Sequence, residues 1–386
     1  MRILVLTPTF LPMVGGAEIL LLEVYRRLAQ RHQVCLLTVD KGLSPGDLDQ
    51  LINFRVIRYS DRLSLMKLRG HRLTGGFIPP FSLSAVAATR RVVADFRPNV
   101  LNAHFLKHTG LAAAVAQRNL HIPCVLTFSG RDVPGPGVPW FWKYYSRWIS
   151  HQVSDVTYIT DYCRRAIFGS RAPRGGHVIA AGVDLQRYRT DLDATFIRQR
   201  LGLALDTPVL FAMQRLAPEK RVDIIIRAMP RILLDHPECV LVIGGKGKSR
   251  TRLASLVNRL DLERAVHFAG YVPDSELPFY YAMCDVFVFH STFETFGIVL
   301  AEAMAAGKPI VSVRSTAIPD VIADGVTGML APPLDAQALA DKVRFLLDTP
   351  SERYRLAQNA RVWAEKHLDW DLIASQYEAV LESIAQ

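Results

Sequence analysis

Short apolar runs alternate with longer stretches in which apolar residues recur at helical spacing, and this pattern covers most of the chain. The strand-like runs of the first half are Ile3–Thr7, Val34–Val39, Arg55–Tyr59, Val100–Ala103, Cys124–Phe128, Val156–Thr160 and His177–Ala180. Apolar strands separated by helices are typical of a parallel sheet that is covered on both faces. The pattern predicts an α/β fold whose ligands bind at the carboxyl ends of the strands.

The second half of the chain repeats the alternation without repeating the sequence. Its strand-like runs are Pro208–Met213, Leu241–Ile243, Val266–Ala269 and Asp285–Phe289, and its last helical segments are Asp335–Leu347, Ser351–His367 and Leu372–Ile384. A stretch near 184–194 lacks strand or helix signals, and 386 residues suffice for two ordinary domains. We therefore predict one domain over 1–187, a second over 188–369 and a terminal helix over 370–386.

Composition excludes several classes of protein. No apolar run approaches the roughly 18 residues that span a bilayer. The apolar N-terminus is short, interrupted by Pro8 and followed by a loop and a helix, so we interpret it as a buried strand and not as a signal peptide. The five cysteines are scattered in apolar contexts, without the spacing of a metal site or a disulfide framework. These features predict a soluble cytoplasmic protein with core thiols.

The net charge of +10 is unevenly distributed. Residues 1–190 hold 25 Lys and Arg against 11 Asp and Glu, or +14, whereas the remainder holds 21 against 25, or −4. A basic half of this kind attracts a phosphate-bearing substrate or the anionic inner face of a membrane, where the protein would be peripheral. Nucleic acid is not an expected partner, because the chain has no basic recognition helix, zinc module or aromatic RNA-binding signature.

Two segments of this basic half mix polar and apolar residues. Between Leu63 and Pro80, the residues Lys67, Arg69 and Arg72 lie among apolar neighbours, which fits either a loop over the core or a contact with lipid phosphates. The run Trp140–Trp148 has aromatic residues on more than one helical face. Some of them must belong to the core, and the others to an acceptor site or a membrane edge.

The stretch from His290 to Pro309 combines a strand end, a polar loop and the start of a helix. A helix that begins near Phe296 presents unpaired backbone N–H groups and a positive dipole end, which favour an anionic or hydroxyl-rich ligand. Glu294 precedes that helix and Glu302 lies roughly two turns along it, so both carboxylates can reach one extended ligand. The plainer alternative makes Glu294 a helix cap and Glu302 a solvated residue. Against it, Glu302 stands in an apolar helix, where an unpaired charge is unfavourable.

A second candidate site lies where another strand gives way to a helix. Arg215 and Lys220 are five residues apart in that loop, a spacing that lets both cations converge on one anion at a helix N-terminus. Taken separately, each is an ordinary surface charge. Together they predict an anion site.

The central stretch resembles the Glu-x7-Glu signature of the retaining glycosyltransferases of family 4. Both the Ser-x-x-Glu-x-Phe-Gly opening and the Glu-Ala-Met-Ala-x-Gly close are matched residue for residue. The resemblance implies a GT-B fold, in which two Rossmann-like doubly wound domains face each other across a cleft and a C-terminal helix crosses back to the first domain. It also implies that Glu294 contacts hydroxyls of the donor sugar and that Glu302 binds the ribose of the nucleotide.

Further donor contacts follow from the resemblance. Arg215 and Lys220 match the family's Gly-Arg-Leu and Glu-Lys-Gly motifs, whose cations clamp the donor diphosphate, although Gln214 and Arg221 replace the glycines. The other implied donor contacts are the amides near Phe296, Gly297 and Ile298 for the sugar and diphosphate, Gly244 and Gly245 near the nucleotide, and Tyr271 and Val272 at the base.

In the first domain, the resemblance implies a loop at Gly15 and Gly16 that faces the acceptor and the leaving diphosphate. His104 ends a strand and matches the second histidine of a His-x-His ending, which leaves it either a structural residue or a catalytic group in the cleft. Ser129 stands where the family has a histidine near the donor sugar. Arg131 and Asp132, which follow it, are candidates for acceptor or sugar contacts.

The resemblance implies a hexosyltransferase-type enzyme that moves a sugar, with retention, from a UDP-, GDP- or ADP-sugar to an acceptor hydroxyl. The expected acceptor is a lipid-linked or cell-surface glycan precursor in polysaccharide biosynthesis. We expect no cofactor and no metal, because none of the Asp-x-Asp pairs follows a strong strand in the second half. A catalytically silent nucleotide-sugar-binding subunit is the rival, since Ser129 and Asn102 replace family histidines. A dehydrogenase is disfavoured because the first crossover lacks a Gly-x-Gly-x-x-Gly fingerprint.

Overall fold

The computed structural model describes residues 1–13, 15–44, 46–61, 81–130, 133, 140–169 and 176–385. The chain divides into two compact units, of which the first comprises Met1–Ala181 with Trp370–Gln386 and the second Gly182–Asp369. The second unit thus begins at Gly182, where the sequence predicted 188. The C-terminal segment from Trp370 belongs to the first unit.

The first unit is built on a parallel sheet with the strand order β3-β2-β1-β4-β5-β6-β7. Its strands are β1 (Arg2–Thr7), β2 (Gln33–Val39), β3 (Arg55–Tyr59), β4 (Val100–His104), β5 (Cys124–Phe128), β6 (Asp155–Tyr158) and β7 (His177–Val178). Its helices are α1 (Gly16–Leu28), α2 (Leu83–Phe96), α3 (Leu106–Asn119), α4 (Trp140–Ser150), α5 (Asp161–Phe168) and, from the end of the chain, α14 (Trp370–Ala385). The last of these packs against α1, β4 and β5.

The second unit has its own parallel sheet, in the order β10-β9-β8-β11-β12-β13. Its strands are β8 (Val209–Met213), β9 (Val240–Gly244), β10 (Val266–Gly270), β11 (Val286–Val288), β12 (Ile310–Val313) and β13 (Met329–Ala331). Its helices are α6 (Thr195–Arg200), α7 (Val222–Leu233), α8 (Arg250–Arg259), α9 (Leu277–Met283), α10 (Ile298–Ala305), α11 (Ile318–Val321), α12 (Ala336–Asp348) and α13 (Pro350–His367).

The sequences of the strands are mostly apolar because the sheets are covered on both faces. Every residue of β4, β5 and β9 is buried, which is the environment of a parallel sheet between two helical layers. All five cysteines are buried thiols, as predicted. The prediction of an α/β fold with two parallel sheets is confirmed.

Both strand orders reverse direction once. In the first sheet the reversal lies between β1 and β4, and in the second between β8 and β11. At such a switch point the loops beyond two neighbouring strands diverge to opposite faces of the sheet and leave a crevice at the carboxyl ends, which is where ligands bind in open α/β sheets. Of the residues singled out in the sequence, Gly15 follows β1, His104 ends β4, Arg215 and Lys220 follow β8, and Glu294 follows β11.

Candidate functional site

Two loops meet at the switch point of the second unit. One follows β8 and ends in a 3-10 turn over Pro218–Lys220, and the other follows β11. The carbonyl oxygen of Glu219 accepts hydrogen bonds from the backbone N–H and the hydroxyl of Thr292, at 2.9 and 3.0 Å. These bonds hold the two loops together, so the side chains of Lys220 and Glu294 come from one connected structure.

Lys220 and Glu294 form an ion pair. Both side chains are largely buried, with exposed fractions of 18% and 12%. The ammonium also lies 6.0 Å from the centre of the Phe289 ring, and the Glu294 N–H donates to the Thr316 hydroxyl at 2.9 Å. Glu294 does not cap the following helix, so the plainer alternative for this residue is wrong.

Arg215 lies in the same β8 loop but holds a different carboxylate. Its guanidinium donates to Glu219 at 2.7 Å, and both side chains are about half exposed. The two cations of the predicted anion site are thus each neutralised by a separate glutamate. An anion that binds to these two cations has to displace the carboxylates.

Helix α10 begins at Ile298, close to the start predicted near Phe296. Gly297 is the residue before the helix and has φ of +88°, a left-handed conformation that glycine adopts without strain. Phe296 is buried, whereas Gly297 and Ile298 remain partly accessible. The first backbone N–H groups of the helix have no intrahelical acceptor, so they are available to an anionic or hydroxylated ligand.

Glu302 is part-buried in the second turn of α10 and is held by two tyrosines. The Tyr281 hydroxyl donates to Oε2 at 2.7 Å, and Tyr188 also hydrogen-bonds the carboxylate. Burial raises the pKa of Glu302 to about 7, even though these hydrogen bonds and the nearby Arg187 act in the opposite direction. The alternative that made Glu302 a solvated helix residue is wrong.

The glycine-rich turn after β9 owes its composition to close backbone contact. A Cβ on Gly245 would lie 2.0 Å from the carbonyl oxygen of Gln214, and one on Gly247 would lie 2.2 Å from that of Leu216. A Cβ on Gly244 would lie 2.7 Å from the Met213 sulfur and 3.1 Å from the Val272 side chain. These glycines let the turn pack backbone to backbone against the β8 loop.

The predicted base contacts follow the neighbouring strand β10. Tyr271 is 63% exposed and its ring lies 5.3 Å from the Lys246 ammonium, whereas Val272 is buried. The aromatic face of Tyr271 is therefore accessible beside a cation at the carboxyl edge of the sheet.

The switch point of the first unit is different in character. Gly15 precedes α1 and Gly16 is its first residue. A Cβ on Gly15 would lie 2.7 Å from the Glu18 carboxylate, so the acidic side chain leans over this helix start. The loop has the predicted position beyond β1.

His104 lies in the interior of the first unit. It is 0% exposed, its Nε2 and the Tyr25 hydroxyl are 2.7 Å apart, and its ring packs beside Tyr377 of α14. Burial lowers the pKa of His104 to about 3, so the ring is neutral near pH 7. This burial favours the structural role that the sequence left open over the predicted catalytic role of His104.

Other polar side chains around β4 and β5 are also buried. Ser129 is 6% exposed and its Oγ has no hydrogen-bond partner among the described residues. Asn102 accepts from the Thr127 hydroxyl at 2.9 Å, but its Nδ2 has no partner in the same part of the chain. Arg131, Asp132 and the segment with Lys67, Arg69 and Arg72 lie outside the described residues.

The two tyrosines that hold Glu302 were not predicted from the sequence. Tyr188 follows the interdomain stretch and Tyr281 belongs to α9, far from Glu302 in the chain, so no local spacing links them. Gln214 was noted in the sequence only as a departure from a family motif.

Within the described ranges, the only cluster with metal-ligand geometry is His32 with Glu378 and Glu382, in the first unit. The described helices include none that is long and apolar enough to cross a membrane.

Comparisons with known proteins agree with this architecture. HepE of Anabaena, crystallised in complex with UDP, superposes with a TM-score of 0.81 at 23% identity over 99% of this chain and 100% of its own. A GDP-mannose-dependent alpha-(1-6)-phosphatidylinositol monomannoside mannosyltransferase of Mycolicibacterium smegmatis is 32% identical over 58% of this chain and 61% of its own length. Glycogen synthase of Mycobacterium tuberculosis is 34% identical over 51% of this chain and 46% of its own length. The matched region thus spans less than two thirds of these curated relatives, and the GT-B fold is confirmed.

Two family models match successive parts of the chain. The model described as Glycosyltransferase Family 4 matches residues 14–187, and that described as Glycosyl transferases group 1 matches residues 193–363. Together they leave only the chain ends and five residues between them unmatched. The chain therefore belongs to the group 1 glycosyltransferases of family 4.

Proposed function

We propose that this protein transfers a sugar, with retention of anomeric configuration and without a metal or cofactor, from a nucleotide-diphosphate sugar to an acceptor hydroxyl. The observation that carries the proposal is the largely buried Lys220–Glu294 ion pair at the second switch point, close in sequence to the start of α10 at Gly297. The names of relatives support it, since one includes GDP-mannose and a structural neighbour was crystallised with UDP.

The leaving diphosphate gains negative charge as the glycosidic bond breaks. Lys220, Arg215 and the first amides of α10 supply positive charge for it without a metal ion. When phosphate oxygens take over the two cations, Glu294 and Glu219 are released. Glu294 is then available to accept hydrogen bonds from hydroxyls of the sugar.

Transfer on one face of the sugar accounts for retention. The bond between the anomeric carbon and the phosphate oxygen breaks with its electron pair going to the phosphate. The acceptor oxygen forms a bond to the same face of that carbon, and its proton moves to the phosphate oxygen that has left. No histidine is required as a base, so this step is compatible with Ser129 and with a buried, neutral His104.

Glu302 is the proposed ribose contact. Its carboxylate is held by Tyr188 and Tyr281, and the residue as a whole is only part-buried. A carboxylate accepts from both ribose hydroxyls, whereas a protonated carboxyl group has lost one acceptor position. Nucleotide binding is therefore coupled to deprotonation of Glu302.

Turnover separates this enzyme from a catalytically silent binding subunit, which the replaced histidines at Ser129 and Asn102 favour. Thermal-shift screening with UDP-glucose, GDP-mannose and ADP-glucose identifies the donor class, because a ligand that binds only the native state stabilises it. Release of free nucleoside diphosphate in the presence of acceptor is expected. Stabilisation by a donor with no transfer to any lipid-linked or glycan acceptor would support the silent subunit instead.

We also propose that the acceptor is anionic or membrane-borne, that the first unit meets it, and that the protein works at the cytoplasmic face of a membrane. The +14 balance of residues 1–190 supports this. The test is sedimentation with anionic vesicles at low and high salt, comparing the wild type with Lys67, Arg69 and Arg72 changed together to Glu. Several basic residues near anionic lipid contribute about 1 kcal/mol each, so we expect the triple variant to lose the salt-sensitive bound fraction.

A matched control changes Arg252, Arg264 and Lys366, all exposed residues of the second unit, to Glu. This variant alters the net charge equally and is expected to keep most of the vesicle binding. Equal sedimentation of all three proteins would contradict a membrane contact through the first unit.

A further inference from the structure

Gln214 is a buried amide for which the proposed reaction has no role. It follows β8 and directly precedes Arg215, and it is 5% exposed. Neither its Oε1 nor its Nε2 has a hydrogen-bond partner within the described part of the chain. Burying an amide with both ends unpaired is unfavourable, and each such group in a native protein calls for an explanation. A ligand that supplies both partners is one.

The backbone of Gln214 is held in place by the glycine-rich turn. Its N–H donates to the Gly244 carbonyl at 3.2 Å, and its own carbonyl lies so close to Gly245 that no side chain fits there. The next described contact in this ladder joins the Leu216 N–H to the Lys246 carbonyl at 3.0 Å. Gln214 is thus anchored on both sides, so its amide is offered from a rigid position.

A second buried polar side chain stands level with Gln214 on the neighbouring strand. Phe211 of β8 pairs with Phe287 of β11, and Gln214 and His290 each lie three residues further along. His290 is 1% exposed and accepts at Nε2 from the Leu334 N–H at 3.3 Å, while its Nδ1 lacks a partner among the residues described. Unpaired polar atoms therefore occur on both strand ends that flank the switch point.

The chemistry of an amide selects among the parts of a nucleotide sugar. Phosphate oxygens only accept hydrogen bonds, and they would leave Oε1 of Gln214 without a donor. A sugar hydroxyl both donates and accepts, and two neighbouring hydroxyls satisfy both ends of an amide. We propose that Gln214 is a specificity-determining residue that binds hydroxyls of the transferred sugar. This inference rests on the proposed function and adds a second sugar contact to Glu294.

The test compares Gln214→Met with the wild type in calorimetric titrations. Methionine keeps the volume of the side chain and removes both polar ends. The probes are UDP-glucose, GDP-mannose, UDP and GDP, used with the full chain. Gln214→Gly, which restores the residue expected from the family motif, is the second variant, and the exposed Gln337→Met on α12 is the control.

We expect both Gln214 variants to bind the preferred nucleotide sugar about tenfold more weakly, as for one lost pair of hydrogen bonds, and to bind the free nucleoside diphosphate as the wild type does. We also expect Gln214→Met to melt no lower than the wild type without ligand, because it removes an unpaired group. Equal loss of affinity for the nucleoside diphosphate would overturn the sugar assignment. So would unchanged affinity for the nucleotide sugar, or a lower melting temperature, since the latter means that the amide already has a partner inside the protein. A wild type that binds none of these four probes, and neither ADP-glucose nor ADP, would overturn the proposed function as well.

Discussion

The two switch points of this protein have the same topology and differ in the paired charges that lie beside them. Beyond β8 and β11, paired charges such as Lys220 with Glu294 accompany the buried polar side chains of Gln214 and His290. Around β4 and β5, in the described part of the first unit, His104, Asn102 and Ser129 are buried and uncharged at neutral pH. A phosphate site requires cations that can release their carboxylate partners and bind phosphate oxygens instead. The comparison supports the proposal that the second unit binds the donor, and it favours a structural role for the buried groups of the first unit.

The largest effect is expected from Lys220→Ala. Removing the ammonium takes away charge stabilisation at the leaving diphosphate, so turnover is expected to fall by about 10² or more. The exposed Lys366→Ala in the same unit is the control and should retain full activity. The measurement is the initial rate with a verified donor. An unchanged rate in Lys220→Ala would contradict the assignment of a phosphate site to this switch point.

His104→Ala tests the other side of the comparison. The change opens a cavity beside Tyr377 and leaves the Tyr25 hydroxyl without its partner, so we expect a loss of about 2 kcal/mol in the stability of the first unit. Nucleotide affinity should be unaffected. Thermal unfolding measures the stability, and calorimetry measures the nucleotide affinity. A large loss of turnover with an unchanged melting temperature would show that His104 takes part in the reaction.

Much of this contrast was accessible from the sequence. The Glu-x7-Glu spacing and the strand-to-helix loop at Arg215 predicted an anion or hydroxyl site because these residues are close in sequence and lie at strand ends, and the family resemblance implied a donor at that site. The sequence left the role of His104 open, since a strand-terminal histidine looks the same whether it faces a ligand or the core. The difference is made by Tyr25 and Tyr377, which the fold brings from opposite ends of the chain.

Some of the fold also escaped prediction for physical reasons. The strands β12 and β13 have only four and three residues, too few for periodicity to distinguish them from loop. The partners of Glu302 come from the stretch after the domain boundary and from α9, so only the folded structure reveals them. The unpaired ends of the Gln214 amide likewise depend on packing that no motif records.

The two glutamates of the central motif should differ in their effect on nucleotide binding. Glu302→Ala removes the ribose contact and is expected to weaken binding of free UDP or GDP about tenfold. Glu294→Ala frees Lys220 from its carboxylate, so nucleoside-diphosphate affinity should be retained or increase while sugar transfer is impaired. Calorimetry on both variants checks this division. Equal losses of affinity in the two would contradict separate roles for ribose and sugar.

The smallest effect is a pH dependence centred on Glu302. Its pKa of about 7 lies above that of an ordinary carboxyl group. Between those two values the folded protein keeps a proton that the unfolded chain has lost, so this group's contribution to stability decreases as pH rises through that window. Nucleotide affinity changes in the opposite direction, because the ribose hydroxyls donate to the deprotonated form. We expect affinity to rise a few-fold from about pH 6 to about pH 8.

Glu302→Gln is the matched control for this pH effect. The amide keeps the shape of the side chain and does not titrate. The charged or titratable groups around Glu302 are Tyr188, Tyr281, Arg187 and Asp274, and they remain in the variant. Any pH dependence that the variant shares with the wild type comes from the nucleotide phosphates. Identical slopes in the two proteins would show that Glu302 does not govern binding.

Hydrogen–deuterium exchange of the full chain with saturating UDP or GDP tests the location of the donor site most directly. Exchange of backbone amides reports local opening, which a bound ligand suppresses where it makes contact. The account predicts slower exchange in the β8 loop from Gln214 to Val222 and around the start of α10 from His290 to Leu300, with no such change at β4. Strong protection around β4 and β5, with none in either loop of the second unit, would contradict it.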